Sequence, residues 1–444
     1  MDQRTERNVF RSENEVAGTS GASFCVVNPH YLENIVRLSE ASEVKASIDI
    51  VDERGVKLWP CGAPVSRALH ERVLGRRLRQ PLEASLEIAD GVSMRSVVSD
   101  CLDLIERKRA LEALAARKSV QDMLRDLHSM TLSGPLRLLL TSIRGLKQHD
   151  YDASLTAMVV AAGLAHQAGF GARDAGHLIL AALLGDIGEM YINPEYLDGS
   201  RKPSPREWES IVWHPCLGEA FLKEFTQFPA AVSDAVLHHH ERFGGHGYPF
   251  QVTGEHLGLM RTMLGIADTV AAIIVRGSTA IADRVSVALH ILPGEFPPPV
   301  VSLITKMLAG LDEECRSGKD GEIAEGIWSE LERLHAAKRE AKTLSHDRHS
   351  PTVVHAANLA LDFLRRIDES LGATRVHNLL QEERQENYPA IRSKIRAVPD
   401  EISWRLRNLA RNVYLQVGQG GNAQDVAALA NLIALLDPVP VEVF

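Results

Sequence analysis

The chain has 444 residues, a formal net charge of −9 and an isoelectric point near 6.1. At about 150 residues per domain this length predicts roughly three domains, and a hydrophobic content of 45% is ordinary for a globular protein. The mild acidity excludes a general attraction to nucleic acid or to anionic membranes, so we expect neither as a partner. No apolar run reaches the roughly 18 residues that span a membrane, and residues 1–24 lack the apolar core of a signal peptide. We therefore expect a cytoplasmic protein with a flexible tail over residues 1–24.

Residues 25–97 have the pattern of a small mixed α/β domain. Residues 44–51 alternate between apolar and polar side chains, which predicts a half-buried strand, and residues 56–59 predict the returning strand after a turn at 52–55. A helix is expected to start at Ser66. We expect the basic side chains of this region to form a solvated helix face rather than the alternative, a phosphate site, and these are Arg72, Arg76, Arg77 and Arg79.

Helical patterns fill the rest of the chain. Residues 98–134 predict connecting helices that could support a homodimer, and residues 135–345 predict a succession of amphipathic helices. Expected helices there cover residues 153–168, 174–184 and 255–276, and Ser204 with Glu207 forms the pattern of a capping box. The region 346–444 is predicted to be helical again, with one helix over 399–416, a break at Gly418–Gly421 and a last helix capped by Asn422 and Asp425. We interpret it as an interaction or support module.

The candidate metal ligands lie in the middle of the chain. One aspartate, Asp186, directly follows an apolar helix, and another, Asp268, lies in an apolar stretch where an unpaired carboxylate is costly. Three consecutive histidines follow a further predicted helix, and successive helical residues point about 100° apart, so at most two of them can face one site. Imidazole and carboxylate together are the ligands of iron, manganese or zinc in hydrolytic sites. The candidate ligands are Asp186, His214, His239, His240 and Asp268.

Four short motifs follow one another along this region. In chain order they are His214-Pro215, His239-His240-Glu241-Arg242, Gly247-Tyr248-Pro249 and Ile266-Ala267-Asp268. In this order they resemble the HD-GYP family of metal-dependent cyclic dinucleotide phosphodiesterases, over residues 120–345. The resemblance implies a mainly α fold: an HD-GYP-like helical bundle core with the small α/β domain before it and the helical region after it.

The motif pattern is incomplete in four places. The family's His-Asp pair reads Gly185-Asp186, the lysine three residues after its aspartate falls on Glu189, and the histidine of the first core helix falls on Thr156. The segment that the family carries after its last aspartate is also missing. Arg276 is the nearest cation there and is our candidate for a phosphate contact.

The resemblance implies one metal site that is largely retained and a second that is depleted. Asp186, His214, His239 and His240 could hold one divalent ion, iron or manganese, and a metal-free domain is the alternative. A second ion would keep only Asp186 and Asp268, with Asp152 as a candidate extra ligand.

Function is accordingly predicted in two forms. The first is a signalling protein with weak or absent hydrolysis of cyclic di-GMP that acts through protein or nucleotide binding. The alternative is an active metal-dependent phosphodiesterase with a rearranged site. For Gly247, Tyr248 and Pro249 the resemblance implies a contact with diguanylate cyclase or another signalling protein, whereas the residues alone indicate a rigid loop.

Overall fold

A computed structural model describes residues 24–198, 203–277, 280–309, 311, 320–346, 348–373, 389–420 and 422–438. The predicted tail lies outside these residues, except for Phe24, which is buried. The described residues form two compact units. The first contains residues 24–198, 210–241 and 247–275, and the second contains the others. The domain boundaries expected from the sequence stay predictions.

The fold is mainly α, as predicted. The helices are α1 Pro29–Ser39, α2 Arg67–Val73, α3 Met94–Arg107, α4 Arg109–Leu114, α5 Lys118–Asp126, α6 Gly134–Leu146, α7 Gln148–Gln167, α8 Ala172–Leu184, α9 Pro194–Leu197, α10 Pro205–Val212, α11 His214–Phe225, α12 Ala230–Leu237, α13 Leu259–Arg276, α14 Ile281–His290, α15 Pro298–Leu308, α16 Asp320–Leu344, α17 Pro351–Ala373, α18 Pro389–Gly420 and α19 Ala423–Leu436. Short 3-10 turns cover Glu83–Ser85, Leu127–Ser129, Ile187–Tyr191 and Gly254–Leu257. Among the described helices, none combines the length and the apolar character that crossing a membrane requires.

The strands are short and form two separate pairs. Strand β1 (Val44–Ala46) pairs antiparallel with β4 (Leu86–Ile88), and β2 (Ile50–Val51) pairs antiparallel with β3 (Lys57–Trp59). The single strand predicted over residues 44–51 is therefore wrong, because its two halves join different partners. The returning strand at 56–59 is confirmed as β3, while β4 was not predicted.

Helix α2 starts directly after Ser66, as predicted, but it is shorter than expected. It ends at Val73, and Gly75 follows with a φ of +69°, which turns the chain out of the helix. The chain beyond forms isolated β-bridges from Arg77 to Val26 and from Leu78 to Asp52. The prediction of one basic helix face is therefore wrong, because Arg76, Arg77 and Arg79 lie in this extended segment.

The first unit is built around α7 and α8. Residues 155–165 of α7 are all buried, so this helix runs through the core, and it begins five residues earlier than the expected residue 153. It ends at Gln167, two residues before Gly169, which has a φ of +71°. Helix α8 covers the predicted helix at 174–184 with two more residues at its start. The first residues of α7, 148–154, are mostly polar, so the apolar pattern did not define its start.

The second unit has its own hydrophobic core, formed by α16 to α19 with residues 291 and 292. Helix α18 continues through Gly420, so the predicted break at Gly418 is wrong over the described residues; Gly421 lies outside them. The last helix has the predicted capping box between Asn422 and Asp425. Two arginines, Arg405 and Arg242, pair with the buried carboxylate of Glu295 in this unit.

Candidate metal centre

Three separate chain segments bring the predicted ligands of the first metal together. Asp186 lies between the end of α8 and the turn Ile187–Tyr191, and His214 is the first residue of α11. His239 and His240 lie just beyond the end of α12, where the chain has left the helix. One ligand atom from each of the four residues lies within 4.8 Å of all the others.

Three atoms form the centre of this cluster. The Oδ1 atom of Asp186 is 3.3 Å from Nε2 of His214 and 3.3 Å from Nε2 of His239. The two Nε2 atoms are 3.4 Å apart. Both imidazoles are buried, with exposures of 1%, and only the carboxylate reaches the surface. The three groups therefore point at one small volume that opens to solvent on the aspartate side.

The backbone fixes which nitrogen of each ring faces that volume. Nδ1 of His214 lies 2.7 Å from the carbonyl oxygen of Ile211, and Nδ1 of His239 lies 2.6 Å from that of Val236. Each Nδ1–H therefore donates to a carbonyl, and in the neutral rings each Nε2 has a lone pair that can take up a metal ion or a proton. Two lone pairs at 3.4 Å repel each other unless a cation or a proton lies between them. This arrangement fits a divalent metal ion with nitrogen and oxygen ligands.

Electrostatics favour an ionised carboxylate in the cluster. Burial by itself raises the pKa of Asp186, but hydrogen bonds from His214 and His239 outweigh burial and hold the pKa well below its usual value. For His214, burial lowers the pKa, whereas the hydrogen bond with Asp186 and the charge of Glu189 raise it, with a net rise. A metal ion must therefore displace a proton from this cluster, so its affinity falls as the pH falls.

The fourth ligand connects the cluster to the last predicted aspartate. His240 has Nε2 at 3.9 Å from Oδ1 of Asp186 and Nδ1 at 3.6 Å from Oδ2 of Asp268. The ring of Tyr248 lies over this imidazole, with the ring centres 4.6 Å apart. His240 therefore stands between two carboxylates, and the costly position of Asp268 in an apolar helix is explained by this contact.

Comparison with known proteins agrees with this geometry. The HD domain family matches residues 137–295, which include all five predicted ligands. This segment is an HD domain. Cyclic di-GMP phosphodiesterase PA4108 of Pseudomonas aeruginosa is 32% identical over 156 residues, which cover 34% of this chain and 37% of that protein. The 3'3'-cGAMP-specific phosphodiesterase 3 of Vibrio cholerae is 34% identical over 88 residues, covering 20% of this chain and 19% of that one.

A third relative matches a slightly longer stretch of the chain. Cyclic di-GMP phosphodiesterase response regulator RpfG of Xanthomonas campestris is 29% identical over 173 residues, which cover 37% of this chain and 45% of that protein. The chain spans less than half the length of each of these three relatives. The activities in their names are therefore properties of those proteins.

The HD domain has no imidazole at the two positions where the family resemblance implied one. Gly185 has helical backbone angles, and a Cβ atom there would lie 3.7 Å from the ring of His239, in ordinary contact and facing the cluster. Thr156 is fully buried in α7, and its hydroxyl donates to the carbonyl oxygen of Asp152. Neither position supplies a metal ligand, although at Gly185 the backbone would accept a side chain.

A small cleft beside Asp186 in the HD domain opens to solvent. Lys147, Asp150 and Glu189 line it together with Asp186. Burial, followed by the negative charge of Asp186, raises the pKa of Glu189 to about 7. Burial also raises the pKa of Asp150, which lies 3.8 Å from the Lys147 ammonium. Three acidic side chains and one lysine therefore line the cleft.

Two further predicted site residues have other partners. Asp152 accepts a hydrogen bond of 2.8 Å from Gln148 in its own helix and is not one of the four clustered ligands. Arg276, at the end of α13, is exposed and its charge lowers the pKa of Glu401. The roles of Asp152 as an extra metal ligand and of Arg276 as a phosphate contact stay predictions.

The loop that contains Gly247, Tyr248 and Pro249 is fastened by a buried glutamate. The two carboxylate oxygens of Glu241 accept backbone hydrogen bonds from Phe250 at 2.7 Å and from Val252 at 3.0 Å. Glu241 is 1% exposed, so the bonds are shielded from water. Glu241 directly follows His239 and His240, so these bonds tie the loop to the histidine cluster.

Sequence reasoning missed the cleft residues Lys147 and Asp150 as part of the site. They lie at the α6–α7 junction, some forty residues before Asp186, and carry no motif. The available signal was local: a lysine and an aspartate three residues apart at the start of a helix whose later part is apolar.

Proposed function

We propose that this HD domain binds one divalent metal ion and serves in signalling as a cyclic dinucleotide-binding module with little or no hydrolytic activity. The observation that carries the proposal is the contrast between two halves of one site. Four ligands converge on a single volume around Asp186, while Gly185 and Thr156 contribute none. The relatives' names make a cyclic dinucleotide the first ligand to test.

The charges of the cleft support weak hydrolysis. Activation of water on a phosphodiester is strongest where two metal ions lie about 3.5–4 Å apart and neutralise the developing charge. Here Glu189 and Asp150 line the cleft beside Asp186, so acidic groups stand where a phosphate would need positive charge. Lys147 alone offsets one of them. We infer that a nucleotide can contact the metal, with poor stabilisation of the transition state.

A second candidate function is an active phosphodiesterase with a rearranged site. The contact of 3.6 Å between His240 and Asp268 favours it, because it keeps a second carboxylate next to the first cluster. Asp186 and Asp268 could then share a second ion such as manganese, held mainly by oxygen ligands and water.

An assay of binding and turnover separates the two candidates. The full chain, loaded with manganese or ferrous iron without oxygen, is mixed with cyclic di-GMP, 3'3'-cGAMP or cyclic di-AMP, and bound nucleotide and linear products are measured. We expect metal-dependent binding, lost in Asp186→Ala and kept in the control Asp152→Asn, without appreciable product. Turnover that disappears in Asp186→Ala would establish the second candidate instead. A chain that binds neither metal nor nucleotide would contradict both.

Docking of a diguanylate cyclase or another signalling protein on the loop at Gly247, Tyr248 and Pro249, and formation of a homodimer, stay predictions. The exposed ring of Phe250, directly after the loop's proline, supports a protein contact there. Replacing Phe250 with serine would weaken such a contact without touching the metal ligands.

A further inference from the structure

The turn Ile187–Tyr191, which directly follows Asp186, is held by the N-terminal part of the chain. The side-chain amide of Asn34 donates to the carbonyl oxygen of Met190 at 3.2 Å, and that of Asn28 donates to the carbonyl oxygen of Tyr191 at 3.1 Å. Asn34 is 3% exposed on helix α1, where a polar side chain is costly unless it is hydrogen-bonded. Both bonds join segments more than 150 residues apart in sequence.

The side chain of Tyr191, at the end of the same turn, also contacts the N-terminal region. The ring of Tyr191 stacks on Tyr31 of α1, with centres 5.1 Å apart and planes within 6° of each other. Its hydroxyl donates to Glu83 at 3.1 Å. Backbone and side chain at this end of the turn therefore both contact residues of the N-terminal region.

The other end of the turn is fixed to the metal cluster. The backbone N–H of Glu189 donates to the carbonyl oxygen of Asp186 at 3.0 Å. Gly188 packs so closely that a Cβ atom would lie 2.0 Å from the carbonyl oxygen of His214, itself a ligand. A 3-10 turn rises by about 2 Å per residue, so only one short rigid segment separates the N-terminal contacts from Asp186.

We propose that Asn34 and Asn28 are positioning residues for Asp186, and that the N-terminal region thereby sets the affinity of the metal centre. This rests on the metal site proposed above. A ligand or partner that displaces α1 would move the turn and weaken metal binding. By thermodynamic reciprocity, a bound metal would stabilise the contacts between α1 and the turn.

Metal affinity in a matched set of variants tests the proposal. Asn34→Leu keeps the branching and the number of heavy atoms of the side chain but removes the donor to Met190. The control, Ile50→Val, makes a small core change in β2, away from the turn. The dissociation constant of Mn²⁺ is measured by calorimetry on the full chain. We expect at least about fivefold weaker binding for Asn34→Leu, the lower end of ordinary site-to-site coupling, and no change for Ile50→Val. Equal affinities in Asn34→Leu and the wild type would overturn the proposal.

Hydrogen exchange on the metal-free chain tests the positioning separately from metal binding. We expect Asn34→Leu to speed exchange at the amide of Glu189, which donates to Asp186, and to leave the interior of α8 unchanged. If Asn34→Leu does not fold, Asn28→Ser replaces it, because serine still caps α1 but is too short to reach Tyr191. A wild-type chain that binds no Mn²⁺ would defeat the metal proposal, whereas unchanged exchange in a folded variant would defeat the positioning role.

Discussion

Two glycines near Asp186 have opposite structural roles. Gly188 is required by packing, because any Cβ atom would collide with the carbonyl oxygen of His214 at 2.0 Å and with the backbone of Gly218. Gly185 is required by neither packing nor backbone geometry, since its φ is −51° and its Cβ position faces the ring of His239. The fold therefore requires a glycine at 188, whereas position 185 would accept a side chain.

Alanine at each glycine position should separate these roles. We expect Gly188→Ala to destabilise the chain by about 1–3 kcal/mol or more through overpacking, and to weaken metal binding because His214 must move. Gly185→Ala should be neutral or stabilising, by up to about 1 kcal/mol, because alanine favours the helical backbone. Urea unfolding and Mn²⁺ titration of both variants measure this. Equal losses in the two variants would refute the packing account.

The clustering of four side chains could be predicted from the sequence because each lies in a short motif. His214, His239, His240 and Asp186 are all in the cluster that the resemblance implied. The role of Glu241 could not be predicted, since its hydrogen bonds run to backbone amides nine and eleven residues later, whatever side chains those residues carry. A sequence motif identifies side chains, whereas this contact depends on the path of the loop backbone.

At the scale of elements, two buried carboxylates hold connecting segments in place. Glu241 fastens the loop after the histidine ligands, and Glu83 accepts a hydrogen bond from Tyr191 at the end of the turn after Asp186. The first is fully paired with backbone amides. The second has one oxygen, Oε2, buried without a hydrogen-bond partner. Their substitutions should therefore have different consequences.

Loss of the Glu241 carboxylate should release the loop. Hydrogen bonds to a charged group contribute about 1.5–3 kcal/mol each, so we expect Glu241→Ala to raise amide exchange at Phe250 and Val252 by two orders of magnitude or so. Limited proteolysis should show faster cleavage between residues 247 and 252. Unchanged protection of both amides would show that the loop is held by other contacts.

Glu83 should make stability depend on pH. Burial raises its pKa from 4.5 to about 7 in the folded chain. The folded state therefore binds more protons than the unfolded state between these values, and the free energy of unfolding falls as the pH rises from about 4.5 to about 7, by at most about 1.4 kcal/mol per unit. Glu83→Gln should reduce this slope and be more stable than the wild type at pH 8. Parallel pH profiles for the two chains would contradict the buried-acid assignment.

Helices were easier to predict than strands for a physical reason. The end of α7 before Gly169 and the cap at Asn422 are determined by a few adjacent residues, so both can be predicted from the local sequence. The split of residues 44–51 into β1 and β2 depends on pairing with residues 86–88 and 57–59, and a strand has no such local determinant. The start of α7 was misplaced because its first residues, 148–154, are mostly polar and lack the apolar pattern of the buried part.

At the scale of the whole molecule, the candidate metal ligands belong to the first unit, and the second unit has its own core and a buried ion pair. Glu295 and Arg405 are each 3% exposed, and Arg242 also approaches the glutamate, at 3.4 Å. The core of α16–α19 was predicted only as a helical region. The pairing of its buried charges could not be predicted, because Glu295 and Arg405 are 110 residues apart in the sequence.

Breaking this ion pair should destabilise the second unit strongly. We expect Glu295→Ala to cost about 3–5 kcal/mol, because it leaves the guanidinium of Arg405 buried without its carboxylate partner. The control is Arg284→Ala, which removes an ion pair with the exposed Asp400 and should cost at most about 1 kcal/mol. Urea unfolding compares the variants. Similar losses of unfolding free energy in the two variants would mean that the buried ion pair stabilises the chain no more than the exposed one.

The number of metal ions per chain is the most direct test of the account. The purified chain is stripped with chelator, reloaded with manganese or ferrous iron without oxygen, desalted and measured by elemental analysis. One ion per chain is predicted, with none in His239→Ala and one again in Asp152→Asn. Two ions per chain, or one that survives His239→Ala, would contradict a single site built from Asp186, His214, His239 and His240.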